Sequence, residues 1–547
     1  MLIALLLVGA AGCTGGGSDA PSPTPTVGVP QRDINAHDRA DLQHGGTLRQ
    51  PVATIAGTWN PLSTDGDSAD LDTIREPLLP HFFSYDAAGV PTPDPDYLVS
   101  ATQTAASPTT VAYVLNPAAV WGDGSPVDGD DMIATWRACN GTDRGFRCAR
   151  TAEFSQIASV TTAADKFHVT VTFKGVYPDW TEVFDSPGVL KAESVADATT
   201  FNTGWRSIHN DWLAGPFRFD QYDAGAKILT EVPNQRWWGD PPLLDQLLFR
   251  AIAPADQAAA YTDHQLDAYR IDPTTYAQVA KLPGTTIRQA PGEVVRELLV
   301  NTGSGVLADG IVRQAVARSI DRGALGATDL QGTGWTISPL GNHVFLPGQP
   351  GYADNAAAGG ITFDPDRAQA DLDAAGWVRG ADGVRAKGAA VLQLTILQSD
   401  DDPAAAREAR LLATQLDAVG VKAEVVSVAA DKVAARLQTH AFQIAAVSRT
   451  VSRSPYDSLA VYVSGAAANR TQLKLPELDT LVAQVATQSD PAQRAAAANR
   501  ADVLLWSAAA SLPLYQRPDF VATVPTVANF GAFGLSTISY EDVGYLR

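Results

Sequence analysis

The chain has 547 residues, 45% of them apolar, and is therefore long enough to bury more than one hydrophobic core. It carries 40 Lys and Arg against 60 Asp and Glu, a formal net charge of −20, which argues against a nucleic-acid partner because such a partner requires a basic face. The charge indicates an acidic, soluble surface.

The first 13 residues, MLIALLLVGAAGC, form an apolar run that ends in small residues at a cysteine. This pattern resembles the second half of a bacterial lipoprotein signal, with residues 10–13 as the processing site and Cys13 as the acylated first residue. Two departures are that no Lys or Arg precedes the run and that Ala10 stands where such signals usually carry Leu or Val. The alternative is a short uncleaved apolar tail, since a membrane-spanning helix needs about 20 residues.

Residues 14–43 are rich in Gly, Ser, Pro, Thr and Asp and poor in apolar side chains. Such a segment cannot bury enough apolar surface to fold, so we predict a disordered tether. A flexible chain of this length reaches on the order of 30 Å from its anchor.

Two further cysteines, Cys139 and Cys148, lie nine positions apart across a polar loop that contains glycine. Outside the cytoplasm this spacing favours a disulfide, and closing so small a loop stabilises a fold by about 2–3 kcal/mol in the chain-entropy model. The alternative is a pair of free thiols. A metal site is not indicated, because no histidine lies nearby in the sequence.

The first clear strand, turn and helix pattern lies between residues 109 and 139. Residues 109–115 predict a strand, residues 122–126 are dense in turn-forming types, and Asp128 to Asp131 suit the start of a helix. Residues 166–173 alternate apolar and polar side chains and predict a second, half-buried strand. These elements predict an antiparallel α+β region over residues 83–212.

After about residue 291, strands alternate with long helices. Strands are predicted at 295–300, 392–397, 421–428 and 442–447, and helices at 404–419, 476–487 and 491–508. This alternation predicts an α/β domain with a largely parallel sheet.

Five motifs in series resemble the family 5 extracellular solute-binding proteins, the peptide- and nickel-binding receptors of ABC importers. The longest, residues 113–138, places Val120, Trp121, Asp123, Gly124, Pro126, Val127, Asp131 and Trp136 in register with that family. The others lie at residues 45–49, 215–217 with 234–239, 312–322 and 368–377. Together they cover nearly all of the chain from residue 45 to 520.

The resemblance implies a fold of the α/β class, a periplasmic-binding-protein-like II clamshell (class II, cluster C type) with two α/β lobes and an inserted α+β domain. Lobe I would combine residues 44–82, 213–290 and 512–547. The inserted domain II would be residues 83–212 and lobe III residues 291–511. A ligand would be enclosed between the lobes on closure.

The stretch at residues 447–457 is where the sequence departs from the family's peptide receptors. In those receptors a carboxylate near a W-x-x-D-x-x-D-P segment holds the α-amino group of the peptide, whereas serines and arginines stand at the acidic positions here. A cationic amine would meet repulsion, so ordinary peptide binding is in doubt. Arg449 and Arg453 suit a carboxylate, phosphate or sulfate, or alternatively pair with carboxylates of the protein. Tyr456 and Asp457 could hydrogen-bond a polar ligand.

Four further residues are candidate ligand contacts. Trp59 and Asn60 stand where the family usually has Leu-Asp, and Trp205 and Trp212 lie in polar loops near the predicted lobe edges. The tryptophans could stack on sugars or apolar groups, and packing inside the protein is the alternative.

No sequence motif of a hydrolase, metalloprotease, nucleotide-binding loop or dinucleotide-binding fold occurs, so we expect neither enzymatic activity nor a cofactor or metal. The leading hypothesis is a monomeric, lipid-anchored receptor on the extracytoplasmic face of the bacterial membrane, which delivers a peptide-like or other small polar solute to an ABC permease. The alternative is a regulator of cell-wall glycolipid synthesis that keeps the fold without transport. Residues 91–98 and 140–142 are similar to the actinobacterial lipoproteins typified by LpqW.

Overall fold

A computed structural model describes residues 31–55, 57–66, 68–185 and 188–547. The predicted signal with Cys13, and the predicted tether as far as residue 30, lie outside these ranges. Within them, every helix is too short or too polar to cross a bilayer.

The α-helices, in chain order, are α1 (Ala69–Arg75), α2 (Gly129–Cys139), α3 (Thr151–Phe154), α4 (Ala198–Thr203), α5 (Pro254–Thr262), α6 (Pro273–Val279), α7 (Gly310–Arg318), α8 (Arg322–Asp329), α9 (Pro365–Ala374), α10 (Pro403–Ala418), α11 (Ala430–Gln438), α12 (Pro455–Ala460), α13 (Pro476–Thr487) and α14 (Pro491–Ala508). The strands are β1 (Leu42–Gln43), β2 (Thr47–Val52), β3 (Phe83–Tyr85), β4 (Pro91–Pro93), β5 (Leu98–Ala106), β6 (Thr109–Leu115), β7 (Ile157–Thr162), β8 (His168–Phe173), β9 (Phe217–Asp223), β10 (Ile228–Pro233), β11 (Gln246–Ala251), β12 (Ala268–Arg270), β13 (Thr286–Val300), β14 (Val378–Arg379), β15 (Arg385–Lys387), β16 (Ala390–Val391), β17 (Gln393–Ser399), β18 (Lys422–Val428), β19 (Ile444–Thr450), β20 (Ser511–Thr523), β21 (Val527–Ala528) and β22 (Gly544–Leu546).

Three larger sheets organise the chain. One has the order β2-β11-β10-β9 and brings residues 47–52 together with 217–251. A second, antiparallel sheet has the order β5-β6-β8-β7 and lies inside the predicted insertion, as expected from its alternating strands. The third has the order β12-β20-β13-β19-β17-β18.

The third sheet is mixed rather than largely parallel. Its β17 pairs in parallel with β18 and β19, as strand and helix alternation predicts, but β12, β20, β13 and β19 pair antiparallel in succession. The antiparallel part arises because β13 and β20 run in opposite directions through the middle of the sheet. No periodicity in either strand reveals its direction, which is why the sequence did not predict this half.

The segment with the longest family resemblance is a strand, a turn and a capped helix, as predicted. Asp128 and Asp131 form a capping box at the start of α2. Asp131 also accepts a hydrogen bond from Trp121 Nε1 at 2.8 Å and one from the Ala192 N–H at 2.7 Å. These contacts are internal, so the segment holds the inserted domain together.

The α2 helix ends at Cys139, which the structure joins to Cys148 in a disulfide. Their Cα atoms are 5.3 Å apart. Cys139 is fully buried, and the bridge fixes the polar loop onto the end of the helix.

Two main hydrophobic cores divide the described chain. One includes Leu48, Trp121, Phe217 and Leu229, and therefore runs without a break through the predicted lobe I and the inserted domain. The other includes Leu298, Leu412 and Trp506 and lies under the six-stranded sheet. The first core thus belongs to an N-terminal body and the second to a C-terminal lobe, into which Leu266, Val279 and Leu514 of the predicted lobe I also pack.

Two long strands, β13 and β20, connect these bodies. They pair with each other along most of their length, and the register shifts between Pro291 and Val295. Gly292 lies in that shift, where a Cβ atom would come within 2.7 Å of the Arg517 carbonyl oxygen. The predicted boundary at residues 290/291 falls inside β13, whereas the one at 511/512 coincides with the start of β20.

Residues 31–43, predicted as the end of the tether, are packed against the folded body. Asp33 N–H donates to the Ala532 carbonyl at 2.8 Å, and Arg39 contacts both the Glu541 carbonyl and the Asp542 carboxylate. Leu42 is fully buried and pairs with Leu546. Composition alone predicted disorder here because the partners of these polar residues lie about 500 positions away in the chain.

Glu231, in the middle of β10, is fully buried, and neither of its carboxyl oxygens has a hydrogen-bond partner among the described residues. Removal from water raises its pKa well above the ordinary value. In the unfolded chain it ionises near pH 4.5. The native state therefore loses relative stability as the pH rises above that value.

We expect Glu231→Gln to stabilise the protein at pH 7. The gain should be about 1.4 kcal/mol for each pH unit by which the folded-state pKa of Glu231 exceeds its unfolded-state pKa, counted only up to pH 7. Urea unfolding at pH 4, 5, 6 and 7 measures this difference, which should disappear at the lowest pH. Glu424→Gln, at an exposed position of β18, is the control and should change little across the series. A constant difference between Glu231→Gln and the parent at all four pH values would contradict the prediction.

Candidate functional site

A cleft of about 730 Å³ lies between the two bodies, a size typical of small-ligand sites. Its lining combines residues 72–85 of the N-terminal body, 149–150 and 182–185 of the inserted domain, and 450–453 of the C-terminal lobe. Glu293, in the shifted part of β13, forms part of the wall. The cleft therefore depends on how the two bodies are placed.

One wall of the cleft is the polar side of α1. The helix starts after Ser68, whose hydroxyl accepts from the Leu71 N–H. Leu71 and Ile74 are buried in the N-terminal core. The helical period then turns Asp72 and Glu76 toward the cleft.

Glu76 and Glu182 are the distinctive electrostatic feature of the cleft. Each is half-buried, and the carboxylate of neither forms a hydrogen bond or ion pair with another described residue. Loss of water raises the pKa of Glu76 to about 7 and that of Glu182 to about 8. The negative charges of Asp179 and Asp457 raise the pKa of Glu182 further. Both carboxyl groups therefore titrate near neutral pH.

The C-terminal lobe places the guanidinium of Arg453 in this acidic region of the cleft. The Cζ atom of Arg453 lies 4.0 Å from the ring centroid of Tyr85, and one of its nitrogens is 3.5 Å from Glu293. Tyr85 is held by a hydrogen bond from its hydroxyl to Asp185 at 2.6 Å. Arg453 follows β19 and Tyr85 ends β3, so the stacked pair joins the two bodies across the cleft.

A second contact across the cleft, here called the clasp, consists of Asp179, Arg494 and Ser454. Two nitrogens of Arg494 donate to the two carboxylate oxygens of Asp179, each at 2.6 Å, and the Ser454 hydroxyl donates to the same carboxylate at 2.8 Å. Arg494 lies in α14 and Ser454 caps α12, whereas Asp179 belongs to the inserted domain. The side chains of Arg494 and Asp179 are only 10% and 15% exposed, so this bidentate pair is largely shielded from water.

The predicted contacts at Asn60 and the tryptophans lie within the protein rather than in the cleft. Asn60 is fully buried, and its amide donates to the Phe201 carbonyl at 2.8 Å. Trp205 and Trp212 are buried with their rings 5.1 Å apart, and Trp59 is half-buried against the same core. Polar loops around these residues suggested exposure, but the rings pack between lobe I and the inserted domain. The tryptophans therefore pack inside the protein, which was the alternative to stacking on a ligand.

Arg449 also turns away from the cleft. Its Nε donates to Glu297 at 3.0 Å and one terminal nitrogen donates to the His343 carbonyl at 2.6 Å. Neighbouring residues alternate sides along β19, which explains why Arg449 and Thr450 face differently. Arg449 therefore pairs with a carboxylate of the protein, which was the alternative to binding an anionic ligand.

The other predicted residues of this stretch lie at or near the cleft. Arg453 lines it, as described above. Asp457 is exposed, accepts a weak hydrogen bond from Ser452 at 3.4 Å, and lies close enough to Glu182 to raise its pKa. Tyr456 is 38% exposed and does not line the cleft.

Sequence reasoning missed Glu76 and Glu182, which belong to no recognisable motif. The available signal for Glu76 was its place on the polar side of a short amphipathic helix. For Glu182 the signal was Trp180, two positions earlier in the chain. The Trp180 ring packs edge-on against Phe83 and Tyr113 and so fixes the segment. Neither signal distinguishes a cleft from open solvent. Among the described residues, no cluster of His, Cys, Asp and Glu could hold a metal ion.

The sequence was compared with protein families and curated proteins. Residues 92–470 match the model of the family described as bacterial extracellular solute-binding proteins, family 5 Middle. The oligopeptide-binding protein OppA of Mycobacterium tuberculosis is 33% identical over 523 residues, covering 94% of this chain and 87% of that protein. The probable monoacyl phosphatidylinositol tetramannoside-binding protein LpqW of the same species is 29% identical over 266 residues, 48% of this chain and 41% of that protein.

Solved structures share the fold. The periplasmic EDTA-binding protein EppA superposes with a TM-score of 0.85 at 24% identity, covering 96% of this chain and all of that one. The oligopeptide-binding protein AppA of Bacillus subtilis, in complex with a nonapeptide, gives a TM-score of 0.71 at 16% identity over 92% of this chain and all of that one. These similarities identify the fold as the two-lobed clamshell.

We expect Arg449→Gln to lower the free energy of unfolding by roughly 1.5–3 kcal/mol, because Glu297 would keep its charge in a buried position without its cationic partner. Chemical denaturation at pH 7 measures the change. Arg453→Gln is the matched variant, and we expect a loss below about 1 kcal/mol because its guanidinium is 38% exposed. Equal losses in the two variants would contradict this assignment.

We expect Asp179→Asn to open the cleft. The neutral amide cannot form the bidentate ion pair, and Arg494 loses a charge-assisted contact worth about 1.5–3 kcal/mol. Small-angle X-ray scattering should show a larger radius of gyration, with an unchanged far-ultraviolet circular dichroism spectrum. Asp256→Asn, at an exposed site in α5, should leave the scattering curve unchanged. Identical curves for the clasp variant and the parent would mean that the clasp does not hold the two bodies together.

Proposed function

Because the chain belongs to the family 5 bacterial extracellular solute-binding proteins, we propose that it is the receptor of an ABC importer, which encloses a peptide-like solute between its two bodies and delivers it to the permease. The observation that carries the proposal is the cleft with charged groups of both signs on facing walls. Binding, and not catalysis, is its role.

A peptide matches the chemistry of the cleft. Its charged ends and its backbone donors and acceptors need polar partners in a site with little water. Glu76 and Glu182 offer unpaired carboxylates, and Arg453 offers a partly exposed guanidinium from the other side. The names of the similar proteins support this assignment, since OppA is an oligopeptide-binding protein and AppA was solved with a nonapeptide.

Ligand capture would use closure of the two bodies. β13 and β20 supply the connection, and the clasp and the Arg453–Tyr85 contact are available only when the bodies approach. A solute that contacts both walls stabilises the closed arrangement and thereby shifts the population toward it. The proposed bodies are lobe I (44–82, 213–290 and 512–547) with the inserted domain 83–212, and lobe III (291–511).

We further propose that Cys13 carries a lipid anchor on the extracytoplasmic face of the membrane and that the receptor acts as a monomer. The envelope-regulator alternative has weaker support. The similarity to LpqW extends over about half of each chain, whereas that to OppA extends over most of both.

Native mass spectrometry of the full chain, purified without denaturation, tests the proposal. We expect an additional mass that tandem fragmentation identifies as one or more peptides. Protein refolded from urea serves as the ligand-free control and should lose that mass. A bound glycolipid in place of peptide would overturn the peptide assignment and favour the envelope-regulator alternative.

A further inference from the structure

We propose that the solute carries at least one positively charged group beyond its amino terminus, an amine or guanidinium, and that Glu76 and Glu182 bind the ligand's cations. The cleft would therefore prefer basic peptides and reject acidic ones. The inference rests on the proposed function and specifies its substrate class.

Among the described residues, neither carboxylate has a hydrogen-bond or ion-pair partner, although the charge of Arg453 acts on both. Other acidic groups of the lining are already engaged: Asp185 accepts from Tyr85 and from the Phe83 N–H, and Asp72 pairs with Arg75. Glu76 and Glu182 are the exceptions within the described lining. An unpaired carboxylate with restricted access to water costs free energy in the empty protein, and a cationic ligand removes that cost.

The balance of charge in the lining also favours a cationic ligand. The lining contains five carboxylates, at Asp72, Glu76, Glu182, Asp185 and Glu293, against three guanidinium groups, at Arg75, Arg150 and Arg453. Arg150 is occupied by Glu153 and by the Glu182 carbonyl oxygen, at 3.1 and 2.5 Å. Where Glu76 and Glu182 are ionised, an acidic solute would thus meet excess negative charge, with few cations available to compensate it.

The protein itself already places a cation in this region. The Arg453 guanidinium lies over the Tyr85 ring and near Glu293. An aromatic face beside carboxylates is a cation site by its chemistry. The arrangement demonstrates that a guanidinium from outside the N-terminal body fits against this wall.

The arginines of residues 447–457 do not cancel this preference. Arg449 is neutralised by Glu297 away from the cleft. Of the two arginines in this stretch, only Arg453 therefore adds positive charge to the lining.

The preference should depend on pH. Glu182 is faced by Asp179, Asp457, Arg150 and Arg453, and Glu76 by Asp72, Glu293, Arg453 and the backbone-bonded His81. Both carboxyl groups are partly protonated near neutrality, with pKa values of about 8 and 7. A bound cation favours their ionised forms, so affinity for a basic ligand rises as the pH increases toward 8, and binding at lower pH releases protons.

The test uses the refolded, ligand-free full chain and three synthetic peptide pools. Each pool contains alanine–glycine peptides of about three to eight residues with one Lys, one Gln or one Glu at the same position. Retained peptides are identified by mass spectrometry after gel filtration. The affinity of the best length is then measured by titration calorimetry at pH 6 and pH 8.5.

We expect the Lys peptide to bind at least ten-fold more tightly than the Glu peptide at pH 8.5, and the Lys-to-Gln affinity ratio to fall at pH 6. Glu182→Gln and Glu76→Gln should each reduce the ratio about ten-fold. The empty variants should also unfold at higher temperature than the parent at pH 8.5, a gain that distinguishes loss of a ligand contact from misfolding. Glu424→Gln should change neither quantity.

The outcomes separate the two claims. Retention of peptides from all three pools with equal affinity would overturn this inference and leave the proposed function intact. Retention from none of the pools would overturn the peptide-receptor function and the inference with it. An unchanged Lys preference in both Glu variants would overturn the assignment of these carboxylates.

Discussion

Removing a carboxylate from water without giving it a partner costs free energy, and the cleft does this at Glu76 and again at Glu182. The remaining contacts of the cleft oppose that cost. The Arg494–Asp179 pair and the stacking of Arg453 on Tyr85 hold the two bodies together although closure concentrates negative charge between them.

The cost of an unpaired carboxylate also distinguishes the cleft from the charged groups in the interior of the protein. Arg296, which is almost fully buried, contacts Glu408 and Asp402 at 2.6 Å, and Tyr515 donates to Glu408 at 2.8 Å. Each member of that group is paired with another member, and Tyr515 joins it from beyond the predicted boundary at residues 511/512. The cleft carboxylates are left uncompensated by their own body, and that difference supports their proposed role in binding.

Sequence patterns predicted the local elements well where one chain segment determines them. The helices at 476–487 and 491–508 and the strand at 109–115 have the predicted bounds, because Pro at the first helical position and strict alternation are local signals. The family motifs also identified the clamshell. The direction of β13 and β20, and the packing of residues 31–43 against the C-terminal segment, depend on contacts between distant parts of the chain and have no local signal.

The candidate site was harder to predict for the same reason. Trp205, Trp212 and Asn60 were chosen by residue type and loop composition, but burial is set by what packs over them. Arg449 and Arg453 lie four positions apart with similar surroundings in sequence, yet one pairs inside the lobe and the other faces the cleft. Only the folded arrangement places Glu76, Glu182 and Arg453 around one space.

The paired strands β13 and β20 have a mechanical consequence. Two hydrogen-bonded strands form a narrow ribbon that bends readily out of its plane and resists sliding within it. The register shift near Gly292 is the weakest point of that ribbon, since the ladder is interrupted there. Two bodies joined in this way would move relative to each other mainly by bending of the ribbon, and Glu293 lies beside its interruption, in the wall of the cleft.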